Sequence, residues 1–138
     1  MQQRGRRRRD IALTTVEREL VCQLVLEDGR SVAVPTRLVY RTDDPYAVRV
    51  AFHTDSDTPV EWCFARDLLI EGVFQPTGHG DVRIWPGKTP RTMGFVYLLL
   101  AVPGEHALLQ VPALALSAWT ERTLRVVPAG SESSPSGD

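Results

Sequence analysis

The chain has 138 residues, of which 43% are hydrophobic and 24% charged, and these values are ordinary for one globular domain with a real core. No apolar stretch approaches the roughly 18 residues that a membrane-spanning helix needs, and no apolar region follows the basic start as in a secretory signal. The chain has two cysteines, too few for a disulfide framework, so we predict a cytoplasmic protein with buried thiols.

Positive charge is concentrated at the start of the chain. Arg4 and residues 6–9 supply five positive charges, and since the net charge of the chain is −1, residues 10–138 sum to −6. An acidic body disfavours binding of nucleic acid through the domain surface. The arginines can lend weak, salt-sensitive binding to nucleic acid or anionic lipid, but no aromatic residues interleave with them for base stacking. A solvated basic arm is the preferred interpretation.

Three segments are predicted along the chain. Residues 1–15 form a disordered basic arm, residues 16–127 form the domain, and residues 128–138 form a disordered polar tail. The tail has no apolar residues that would anchor it to a core, and the arm has few.

Apolar and polar residues alternate in the first half of the domain, which predicts strands. The first strand covers about 19–26, a turn follows at 28–29, and a second strand covers about 31–41. Pro35 lacks an N–H and therefore places the second strand at an edge or at a bulge. The third strand, at about 46–53, has the most regular alternation.

A short helix is predicted near residues 63–71. Phe64 and Leu68 lie one turn apart and Trp62 directly precedes them, so these three side chains should be buried and should tie the helix to the sheets. Gly72 suits the C-terminal cap, because glycine accepts the left-handed conformation there.

The second half repeats the order of strands followed by a helix. Strands are predicted at 81–86, 94–102 and 106–111, and a longer helix at 112–125 carries Trp119 on its apolar face. Together the two halves predict an α+β domain with two antiparallel β-sheets, a short central helix and a longer C-terminal helix.

Residues suited to metal binding or catalysis are scattered along the chain. No CxxC, HxxxH or HExxH spacing is present, and no serine lies in a GxSxG motif. We therefore predict no metal, no cofactor, no catalytic residue and no small-molecule substrate. The residues considered were Cys22, Cys63, His53, His79, His106, Ser31 and Ser117. Cys63 lies between two aromatic residues, an apolar setting that should make its thiol inert.

The segment at 76–81 is rich in glycine. Its backbone N–H groups are candidates for holding an anion, but no P-loop lysine is present and a strand rather than a helix follows. Gly78 and Gly80 therefore predict a tight turn, since both adopt positive φ at little cost.

Several exposed positions are candidates for contact with a partner. Arg66 and Asp67 should project outward from the first helix, where charge sets partner specificity, and Leu114 falls on the polar side of the last helix. Trp62 and Trp85 lie at strand ends beside charged residues. These two tryptophans either cover the core or anchor a partner, and the pattern does not decide between the two roles.

Several runs of residues resemble the SsgA-like family of actinobacterial sporulation and cell-division proteins. In chain order they are DPYAV and FHT at 44–54, VEW and FARDLL at 60–69, PTG and GDVR at 76–86, and an apolar segment at 104–116. The runs occur in the family's order and together span most of residues 20–124. Cys63 stands where the family usually has an apolar residue.

The resemblance implies a non-enzymatic adaptor that helps to localise the septum machinery, by recruiting the tubulin-like protein FtsZ, or that acts in spore-wall remodelling. It also implies a Whirly-like domain, a homotrimer, and a cytoplasmic location at the septum with partners such as FtsZ or another SsgA-like paralogue. Whirly proteins bind single-stranded nucleic acid, so a nucleic-acid-binding protein is the alternative function. The acidic body favours the adaptor.

Overall fold

Residues 13–87, 94–102 and 104–133 are described by the computed structural model. Their strands are β1 (Thr15–Val25), β2 (Ser31–Arg41), β3 (Ala47–Phe52), β4 (Val60–Ala65), β5 (Thr77–His79), β6 (Val82–Gly87), β7 (Phe95–Val102) and β8 (Glu105–Pro112). Their helices are α1 (Arg66–Gly72) and α2 (Ala113–Val126). The predicted α+β class is confirmed.

The strands of this part of the chain belong to one curled antiparallel sheet with the order β4-β3-β2-β1-β8-β7-β6-β5. β1 to β4 form one meander and β5 to β8 form another, in which neighbours along the chain pair with each other. A ladder of three residue pairs between β1 and β8 joins the two meanders. The prediction of two separate sheets is wrong, because this ladder makes them one. The Whirly-like arrangement stays a prediction.

Alternation along the strands builds the core as predicted. Val48, Val50 and Phe52 of β3 are all buried. Phe64 is buried, while Trp62 and Leu68 are half-buried and pack against the core. Leu69, which the helical spacing pairs with Ala65, is 2% exposed and is the deepest apolar side chain of α1.

Gly72 is required for close packing and not for a left-handed cap. The cap residue after α1 is Val73, which has right-handed helical angles, and Gly72 has no positive φ. A Cβ at Gly72 would lie 2.6 Å from the Cβ of Ile84 on β6. The glycine therefore allows α1 to approach the sheet.

The glycine-rich turn is confirmed at one of its two glycines. Gly80 has a φ of 61° between β5 and β6, as a tight turn requires. Gly78 lies inside β5 without positive φ. A Cβ at Gly78 would approach the carbonyl oxygen of Val82 to 3.0 Å, so its role is again close approach.

Pro35 lies in an inner strand, contrary to the prediction of an edge or bulge. β2 pairs with β1 without interruption, but its pairing with β3 begins only at Thr36. The carbonyl oxygen of Pro35 accepts a hydrogen bond from the N–H of Thr54, just beyond the end of β3. The nitrogen and the carbonyl oxygen of one strand residue point towards the same neighbouring strand. Pro35 therefore lacks its N–H at a position where β2 is not paired with β3.

Helix α2 covers the seam between the two meanders, with contacts to β1, β7 and β8. The side chain of Trp119 is fully buried, as its place on the apolar face predicts, and its Nε1 donates a hydrogen bond to the carbonyl oxygen of Val16 (3.2 Å). Trp85 is half-buried and stacks on Tyr97 of the neighbouring strand, with ring centres 5.5 Å apart. Neither described helix has the length and apolar character needed to cross a membrane.

Candidate partner-binding surface

Arg66 was predicted to project outward, but its side chain is fully buried. It continues the inward face of β4 that carries Trp62 and Phe64, because its N–H still pairs with the carbonyl oxygen of Tyr46 (2.7 Å). The side chain therefore points into the domain. The prediction of an exposed Arg66 at a partner surface is wrong.

The Arg66 guanidinium connects α1 to α2 and to the segment that follows α2. Its Nη1 donates to the carbonyl oxygen of Thr123 (3.1 Å), and its Nη2 donates to Oε2 of Glu132 (2.8 Å). The central carbon atom of the guanidinium, Cζ, lies 4.8 Å from the centre of the Tyr40 ring, at cation–π distance. Within the described residues, the buried Nε has no hydrogen-bond partner. Arg66 is thus a structural centre of the fold.

Glu132 gives the predicted polar tail an ionic anchor. Its side chain is only 8% exposed, and its Oε1 accepts a hydrogen bond from the N–H of Gly130 (3.0 Å). The hydrogen bond from Arg66 holds the pKa of the Glu132 carboxyl below its ordinary value. The last described residues are therefore attached to the domain by charge. Residues 134–138 of the tail and residues 1–12 of the basic arm lie outside the described residues.

Asp67 and Leu114 are both exposed, Leu114 to 61%. They do not lie side by side. Arg66, the neighbour of Asp67, meets α2 at Thr123, and the nine residues from there to Leu114 span roughly 13 Å along a helix. The structure thus places these two candidates at different points of the surface.

Phe74 is a candidate that the sequence patterns did not reveal. Its side chain is 82% exposed, the highest value among the exposed large apolar residues of the described chain. Its N–H donates to the carbonyl oxygen of Glu71 (3.0 Å), which holds it directly after α1. Asp67 and Glu71 are exposed one turn apart on that helix. Aromatic side chains are enriched at protein interfaces, so the exposed Phe74 is a candidate contact for a protein partner.

Comparison with known proteins identifies the family. Residues 34–132 match the family described as Streptomyces sporulation and cell division protein, SsgA. The chain belongs to the SsgA family. Sporulation-specific cell division protein SsgB of Streptomyces coelicolor is 49% identical over 119 residues, which cover 86% of each chain. SsgB of Thermobifida fusca is 43% identical over 120 residues, covering 87% of this chain and 86% of the relative.

Solved structures of SsgA-family proteins share the fold. One is an SsgB from a study of mutations that correlate with longitudinal cell division during sporulation of Streptomyces coelicolor, with a TM-score of 0.81 and 48% identity. It covers 88% of this chain and 94% of that chain. Another is an SsgA-like sporulation-specific cell division protein from Thermobifida fusca, with a TM-score of 0.82, 43% identity and 88% of each chain covered. The predicted family is confirmed.

The two thiols of this SsgA-family protein lie in different environments. Cys22 is buried, and burial raises the pKa of its thiol. Cys63 is exposed, contrary to the prediction, because on β4 it faces away from Trp62 and Phe64. In the ranges 13–87, 94–102 and 104–133, no three His, Cys, Asp or Glu side chains come together as a metal site would require.

Proposed function

We propose that this SsgA-family protein is a non-catalytic adaptor that helps to localise the septum machinery, through FtsZ recruitment or spore-wall remodelling. Family membership carries the proposal, because the relatives are named sporulation-specific cell division proteins. A role in sporulation and cell division follows from the family itself. The direct partner and the cytoplasmic location at the septum are the proposed part.

The partner surface that we propose consists of Phe74, Asp67 and Glu71. The Phe74 ring offers a large apolar contact at little entropic cost, since it has two rotatable bonds. The two carboxylates add charge that selects a partner and speeds encounter without contributing much to stability. This surface keeps Asp67 from the earlier candidates and replaces the buried Arg66. Leu114 on α2 forms a second, separate candidate.

Replacing Phe74 by Ser together with Asp67 by Asn is expected to abolish recruitment to septa and to leave the melting temperature nearly unchanged. Both side chains are exposed, and surface substitutions of this kind usually change stability by less than about 0.5 kcal/mol. The measurement is time-lapse fluorescence of tagged protein in a sporulating actinobacterium, with thermal unfolding of the purified variants.

Val126→Ser is the matched control, because it removes one exposed apolar side chain from α2, and Leu114→Ser tests the second candidate. Both variants should still localise normally. Loss of septal signal with Leu114→Ser alone would place the partner surface on α2. A diffuse signal from the unaltered protein throughout septation would contradict the adaptor function.

We also propose that the protein is a homotrimer. Val96, Leu98 and Leu100 of β7 are buried, whereas Phe95 and Leu99 on the opposite face remain half-buried. A strand that is apolar on both faces needs cover on both, and a neighbouring subunit provides it. Light scattering should therefore give three times the chain mass of 15.4 kDa. A monomer mass across micromolar concentrations would contradict the trimer.

A further inference from the structure

An apolar groove of about 600 Å³ opens beside the first residues of β4. It is formed by the curl of the sheet, which brings residues of the terminal strand β4 opposite residues of β1 and β7. The lining includes Leu24, Leu26, Phe52, Val60, Trp62 and Leu100. Its volume is in the range of sites that hold a large side chain or a small ligand.

The free edge of β4 runs along this groove. β4 is the last strand in the order of the described sheet, and its register with β3 is unbroken from Val60 to Ala65. Because the N–H of Arg66 points at β3, alternation directs the peptide groups of Glu61 and Cys63 away from β3. No proline or lysine protects this edge, so it can accept a further strand.

Acidic side chains lie in the groove and in the loop beside it. Glu27 lines it, and the loop between His53 and Val60, which both line it, carries exposed Asp55 and Asp57. No arginine or lysine is among the lining residues. An occupant of this groove should therefore be apolar and positively charged.

We propose that β4 and the groove bind an extended peptide of a partner protein, in which apolar residues alternate with arginine or lysine. The peptide backbone pairs with the outward peptide groups of Glu61 and Cys63. Its apolar side chains enter the groove against Trp62, and its basic side chains face Glu61 and the Asp55–Asp57 loop. Strand addition of this kind takes affinity from the backbone and specificity from alternate side chains. The inference rests on the proposed adaptor function and adds the chemistry of the partner.

The probe is a short fluorescein-labelled peptide in which leucine alternates with arginine, added to the purified full-length protein. We expect saturable binding by fluorescence anisotropy, and none by a control peptide with glutamate in place of arginine. Amide hydrogen exchange should slow at Glu61 and Cys63 when the arginine peptide is bound. Equal binding of both peptides, or binding without slowed exchange on β4, would overturn the inference.

Two pairs of variants separate the groove from general charge attraction. Asp55→Asn with Asp57→Asn should weaken binding by about tenfold, whereas Glu121→Gln with Glu17→Gln removes the same charge at two exposed positions outside the groove and should have no effect. Val60→Thr keeps the shape of a 37% exposed side chain at the groove and should weaken binding, while Val21→Thr, at an exposed valine of β1 outside the groove lining, should not. Reversal of either pattern overturns the proposal.

Two further outcomes decide the relation to the adaptor function. If β4 amides are already protected in the free protein and the mass is that of an oligomer, a second copy occupies the edge and the peptide proposal fails. Failed peptide binding with normal septal localisation overturns this inference alone. Absence of the unaltered protein from septa overturns the adaptor function instead.

Discussion

Replacing Arg66 by Ala is expected to lower the free energy of unfolding by about 3–5 kcal/mol, the cost of breaking a buried ion pair by removing one partner. The substitution leaves the shielded carboxylate of Glu132 and the carbonyl of Thr123 without their donor. It also empties the space beside the Tyr40 ring. Urea unfolding followed by circular dichroism measures the loss. Arg125→Ala, at an exposed arginine of α2, is the control and should change stability by less than about 0.5 kcal/mol.

A double-mutant cycle with Arg66→Met and Glu132→Gln isolates the ion pair. Glu132→Gln alone should destabilise the fold, because it leaves a buried guanidinium without its carboxylate. The double variant should recover part of that loss, since neither neutral side chain carries the desolvation cost of a buried charge. Additive losses would show that Arg66 stabilises the fold independently of Glu132.

The ion pair between Arg66 and Glu132 also predicts how the stability of the fold depends on pH. The folded-state pKa of Glu132 is depressed, so its contribution to stability is fully present above the ordinary value of 4.5 and is lost as the pH falls through the folded pKa. The stability difference between the unaltered protein and Glu132→Gln should therefore be constant near neutral pH and shrink below pH 4.5. A difference that is unchanged at acid pH would contradict the ion pair.

Replacing Trp119 by Ala is expected to cost about 3–5 kcal/mol, the range for a buried tryptophan. The ring is fully buried where α2 covers the seam of the sheet, and its N–H satisfies the carbonyl of Val16. Denaturant unfolding by circular dichroism is the measurement, because the substitution alters fluorescence directly. Trp119→Phe keeps most of the apolar contact and loses the hydrogen bond, so it should cost about 1–3 kcal/mol. Leu114→Ala on the exposed side should cost little, and an equal loss there would contradict the assignment.

Local patterns predicted the parts of the fold that depend on neighbouring residues. The alternation of β3 and the apolar face that holds Trp119 were correct, since each follows from the period of one element. The same alternation also explains two errors. Cys63 and Arg66 lie on opposite faces of one extended run. If the alternation of β4 is continued as far as residue 66, it predicts an exposed Cys63 and a buried Arg66.

Distant partners set the features that the sequence did not reveal. The burial of Arg66 depends on a carboxylate 66 residues further along the chain, and no local pattern indicates that pair. One sheet instead of two depends on three residue pairs between β1 and β8. Phe74 has no pattern around it at all, because it lies after a helix end and outside any strand.

The joining of β1 to β8 has a consequence for the order in which the chain acquires its structure. The other ladders of the described sheet link strands that follow one another along the chain, whereas this ladder links Gln23 to Gln110. Short loops close with little loss of entropy, so hairpins within each meander should form first and this long-range closure last. During synthesis, β1 to β4 emerge from the ribosome before β8 is made. Until then the edge of β1 is unpaired and accessible to other chains. It is covered only after β8 and the following helix α2 have been synthesised.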